Sequence, residues 1–121
     1  MNNPSADPLD VEMLNTLRAL QPEGGADVIG ELFDMFQSIA PPLLDKLRAA
    51  TAHGDSEALY KSAHSLKGNS AALGATMLAA QLKELEFMGR MNDLHGAAEK
   101  VAQVEKEYTR ALDAFDNERR K

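Results

Sequence analysis

The chain has 121 residues, enough for one hydrophobic core but not two, and it carries no cysteine, which excludes disulfides, thiolate metal sites and cysteine nucleophiles. Hydrophobic residues make up 44% of it and aromatic residues 5%, with leucine and alanine supplying most of the apolar surface, a composition suited to close-packed helices. Its net charge of −6 repels nucleic-acid backbones and anionic membrane surfaces, and no apolar run approaches the roughly 20 residues that span a bilayer, so a cytoplasmic protein that binds neither is expected.

Residues 1 to 8 are polar, contain two prolines and are expected to form a flexible arm, with a single domain over residues 9–118. Asp10 is placed to cap a short helix that carries Leu14 and Leu17 and ends near Leu20. Gln21-Pro22-Glu23-Gly24-Gly25 then breaks the chain, and Asp27 can cap a longer helix. Ile29, Leu32, Phe33, Phe36, Ile39, Ala40, Leu43, Leu44 and Leu47 keep one helical face. Pro41-Pro42 falls inside this stripe without shifting its phase, although an interior proline costs about 3 kcal/mol or more. The pattern predicts a kinked helix, or two helices end to end.

His53-Gly54-Asp55 provides a stop followed by a cap, opening a helix with Leu59, Ala63, Leu66, Ser70 and Leu73 on one side, closed by Gly74. Thr76 is a candidate cap for the next helix, with Leu78, Leu82 and Leu85 inward, and Gly89 together with Asn92-Asp93 marks a turn. Leu94, Ala97, Val101, Val104, Tyr108, Ala111, Leu112 and Phe115 line one face of the last helix. The expected fold is all-α: an up-down antiparallel four-helix bundle with the short additional N-terminal helix across one end.

The chain has no phosphate-cradling Gly-rich loop, H-E-x-x-H, EF-hand or G-x-S-x-G motif, and none of its three histidines follows a glutamate at three residues. His53 and His95 lie at helix boundaries, where polar residues are ordinary. His64 differs: at 100° per residue it projects about 140° from the mean direction of its helix's apolar stripe, so it points outward. Its helical neighbours are Glu57, Tyr60, Lys61, Lys67, Gly68 and Ala71. A phosphoryl group on this imidazole would need a nearby cation, which Lys67 at i+3 offers from an exposed position. Gly68 at i+4 has no side chain to obstruct an approaching partner, and something must justify a mid-helix glycine that costs roughly 0.5–1 kcal/mol. An exposed histidine beside a lysine is also compatible with a plain solvated surface.

The run from Ala63 to Ala75, AHSLKGNSAALGA, resembles the signature of histidine-containing phosphotransfer (HPt) domains, His-x-Leu-Lys-Gly followed by small residues and Gly-Ala. The resemblance extends to the helix from Glu31 through Leu44 before the site and to Leu82–Glu86 after it, covering about residues 26–115. It implies a phosphorelay intermediate that takes a phosphoryl group on His64 from a receiver-domain aspartate and passes it to another, with receivers of response regulators or a hybrid sensor histidine kinase as partners. By the same resemblance Lys67 stabilises the phosphoryl group and Gly68 leaves room for the receiver. Glu86 stands where the family often places a polar residue near the imidazole. It is expected either to accept a hydrogen bond from Nδ1–H, leaving Nε2 as nucleophile, or to be a plain surface glutamate.

Tyr60, Lys61, Ala71 and Ala72 are the expected docking residues around His64. The chain would hold no cofactor, Mg²⁺ belonging to the partner receiver, and would act as a monomeric carrier without kinase activity of its own. A non-catalytic bundle that docks a receiver or kinase without carrying phosphate is the alternative.

Overall fold

The computed structural model describes residues 7–21 and 27–120. Most of the expected N-terminal arm and of the Gln21–Gly25 break lies outside the described residues. Five helices follow in order: α1 (Val11–Leu20), α2 (Val28–His53), α3 (Ser56–Ala72), α4 (Thr76–Arg90) and α5 (Ala97–Arg119). Asp10, Asp27 and Asp55 each cap a helix by accepting a backbone N–H, from Met13, Gly30 and Ala58 respectively. Gly54, at φ 67°, ends α2 in the left-handed conformation that a residue with a side chain rarely adopts.

Short connections make α2 to α5 an antiparallel bundle in which each helix packs on the next and α5 closes against α2. Leu47, Leu59, Leu66, Leu78, Leu82, Leu85, Val104 and Phe115 are buried in its core. Each such side chain removed from water stabilises the fold by about 1.5–3 kcal/mol. At one end Phe33 of α2 stacks on Phe115 of α5, with ring centroids 5.0 Å apart. α1 lies across that end. It buries Leu14, its Arg18 donates to the Glu118 carbonyl and pairs with the Glu118 carboxylate at 3.1 Å, and the Asp10 N–H donates to the Gly74 carbonyl at 2.7 Å.

α2 runs through Pro41 and Pro42 as one assigned helix. The carbonyls that lose their N–H partners belong to Gln37 and Ser38, which are exposed like the prolines themselves, so water can replace the missing bonds. Three expectations are corrected. Thr76 does not cap α4: Ala75 is the N-cap and contributes no side-chain bond, because the left-handed Gly74 (φ 76°) turns the chain directly into the helix. Leu94 precedes α5, which begins after the left-handed Gly96 (φ 82°).

Gly89, read as part of a turn, lies buried within α4. A Cβ there would sit 2.7 Å from the Tyr60 nitrogen and 2.8 Å from the Ser56 carbonyl oxygen. The glycine is needed for helix contact rather than for a turn: α3 and α4 share the most extensive interface of the bundle and touch backbone to backbone at this point. Among the described residues, no helix is long and apolar enough to cross a membrane.

Candidate functional site

The close approach at Gly89 brings the preceding turn of α4 beneath the middle of α3. Glu86 therefore reaches under His64 although its side chain is only 7% exposed, whereas the His64 side chain is 60% exposed. His64 Nδ1 lies 2.8 Å from Glu86 Oε1, and Lys67 Nζ donates to the other carboxylate oxygen, Oε2, at 2.5 Å. One buried carboxylate thus joins the imidazole to the cation one turn further along α3. The hydrogen bond from Lys67, with a smaller contribution from His64, holds the Glu86 carboxyl below the usual carboxylate range, against burial that acts in the opposite direction. An ionised Glu86 can only accept. The bond to His64 therefore requires a proton on Nδ1, so that in the neutral ring the lone pair is on Nε2.

The exposed position read for Lys67 is corrected: its side chain is half-buried and neutralises a buried carboxylate. Gly68 is exposed, and a Cβ added there meets nothing within 4 Å among the described residues, so no packing between them calls for glycine at this position. Tyr60 sits beside the imidazole, with ring centroids 6.1 Å apart. Lys61 points away and pairs with Glu57 at 2.9 Å on the surface. Ala71 and Ala72 are exposed on α3, and Ala72 borders a shallow apolar groove shared with Leu32, Met35 and Ile39 of α2. His53 donates from Nδ1 to the Ala49 carbonyl at the end of α2, and His95 is exposed in the turn before α5; neither joins the cluster.

Arg90 was not anticipated. Its guanidinium lies 4.7 Å from the centre of the Tyr60 ring, donates to the Tyr60 hydroxyl at 3.0 Å and stands 3.7 Å from Glu86 Oε1. The signal for it was the i, i+4 spacing of Glu86 and Arg90, mirrored by Tyr60 and His64 on the facing helix.

The bundle thus presents an imidazole outward on a Lys67-Gly68 turn, backed by a buried carboxylate. Residues 31–114 match the Hpt domain family, and the chain belongs to that family as a histidine phosphotransfer protein of a phosphorelay. Histidine-containing phosphotransfer protein B (HptB) from Pseudomonas aeruginosa PAO1 has a similar crystal structure, with a TM-score of 0.81, 34% identity, and 95% of this chain and 96% of that one covered. The sensor protein TorS of Escherichia coli (strain K12) is 39% identical over 79 residues, which are 63% of this chain and 8% of TorS, so the chain corresponds to a small part of that relative.

Proposed function

We propose that His64 is the phosphoryl acceptor and that Nε2 is the reacting nitrogen. The observation carrying this reading is the Nδ1–Glu86 bond of 2.8 Å: in the neutral ring it places the proton on Nδ1 and the lone pair on Nε2. The Nε2 lone pair attacks the phosphorus of an acyl phosphate on a receiver aspartate. The P–O bond to that aspartate breaks, its electron pair going to the carboxylate, and the ring gains positive charge while Nδ1 keeps its proton. Glu86 balances that charge. In onward transfer an aspartate of a second receiver attacks, the P–N bond breaks with its pair returning to Nε2, and neutral imidazole is restored. No proton moves in either direction, which suits a carrier that works both ways.

Lys67 stays within reach of Glu86 and directs its remaining N–H groups to the phosphoryl oxygens, and Gly68 admits the receiver's surface to the ring. When bound to the receiver, Mg²⁺ supplies the main charge neutralisation of the transferring group. On this reading a monomeric carrier works in the cytoplasm. Incubation with a phosphorylated receiver should label the wild type and leave His64→Gln unlabelled; label retained by that variant would overturn the site. Binding without transfer by the wild type would instead support the docking-only alternative.

A further inference from the structure

The face of α4 that turns away from the core carries a ridge that the transfer chemistry does not use. Leu78, Leu82 and Leu85 point inward, while Lys83 and Phe87 sit four residues apart on the opposite side, followed after four more by Met91 at the helix end. Phe87 is 62% exposed and Met91 61%, two large apolar side chains four residues apart on one face of the helix and its end. A groove of ≈ 270 Å³, lined by Lys67, Lys83, Glu86, Phe87 and Arg90, runs from this ridge to the carboxylate that holds His64. On the other side of Phe87 a second groove, bordered by Met88 and Lys100, continues toward α5. The ridge is therefore continuous with the Lys67 and Glu86 side chains that back the imidazole.

The charges around the ridge are mostly positive. Lys67 and Arg90 face Glu86, Lys100 pairs with Glu84 at 2.5 Å, and Lys83 has no ion-pair partner among the described residues. The groove between α2 and α3 is lined by Leu32, Met35, Phe36 and Ile39 with Asn69, Ala72 and Leu73, none of them charged. The two surfaces thus offer different chemistry to a docking protein. Phe, Met and Arg are residue types enriched at protein interfaces, and exposed lysine steers acidic partners toward them.

We propose that the Lys83–Phe87–Met91 ridge docks a receiver domain whose apolar patch is edged by carboxylates, and that it selects such receivers over those with neutral or basic edges. This rests on the phosphotransfer reading, because the partner is defined by its need to reach His64. Phe87 fills the apolar patch, Lys83 and Arg90 meet its acidic edge, and the two grooves beside Phe87 receive side chains from the partner.

The test compares wild type with the double variant Phe87→Ala, Lys83→Glu, both changes being on exposed side chains. Donors are a panel of purified receiver domains phosphorylated with acetyl phosphate, and phosphoramidate as a small donor that needs no docking. With acid-edged receivers the variant should lose about tenfold or more in kcat/KM, mainly through KM, together with the salt dependence of the wild type. Labelling of His64 by phosphoramidate should stay within about twofold. Unchanged transfer from every receiver the wild type serves would overturn the ridge. Parallel loss of phosphoramidate labelling would also overturn it, by placing the damage at His64. A wild type that takes label from no donor would overturn the phosphotransfer reading itself.

Discussion

Gly68 and Gly89 both interrupt helices with a residue that weakens them, yet their surroundings are opposite. A Cβ at Gly89 would collide with the α3 backbone at 2.7 Å, while one at Gly68 meets nothing within 4 Å. The first glycine is needed by the fold. The second packs against nothing among the described residues, and on the proposed function it leaves room for a receiver. Between them lies Glu86, buried by the close contact at Gly89 and bonded to the imidazole that stands one turn before Gly68. Packing at one glycine sets the chemistry displayed beside the other.

Substituting either glycine tests that contrast. Gly89→Ala should have the largest effect, costing about 1–3 kcal/mol as α3 and α4 are forced apart, with transfer falling as Glu86 withdraws from His64. Thermal unfolding and transfer rates would report both; an alanine tolerated without loss would show that the helices do not need the contact. Gly68→Gln should leave the fold intact or stabilise it by up to about 0.7 kcal/mol, while transfer from receivers drops about tenfold. Unchanged transfer would remove the reason given for this glycine.

Glu86→Gln sharpens the comparison through pH. Because the folded protein holds this carboxyl below its ordinary value of 4.5, its contribution to stability is complete above that pH and is lost as pH falls through the lowered value. Melting curves taken between about pH 7 and about pH 3 should show the wild type losing more stability than the glutamine variant. Parallel curves would mean that Glu86 is not ionised against Lys67.

Much of this could be read from the chain itself. Three aspartate caps, the glycine stops and the 3.6-residue stripes located the helices, and the same periodicity turned His64 outward. Thr76 misled because a hydroxyl near a helix start is only a potential cap, and the left-handed Gly74 had already set the backbone. Gly89 looked like a turn because sequence does not distinguish a glycine that ends a helix from one that admits a neighbouring backbone. The burial of Glu86, the half-buried state of Lys67 and the place of Arg90 over Tyr60 depend on how α4 crosses α3, which no local pattern encodes.

On the proposed function, Glu86 keeps the proton on Nδ1 so that phosphorus bonds to Nε2 of His64. Nitrogen–phosphorus correlation by NMR on the phosphorylated protein, with its histidines labelled by ¹⁵N, tests it directly. The expected result is a single coupling from phosphorus to His64 Nε2, with Nδ1 still protonated. Coupling to Nδ1, or to a nitrogen of His53 or His95, would contradict the account.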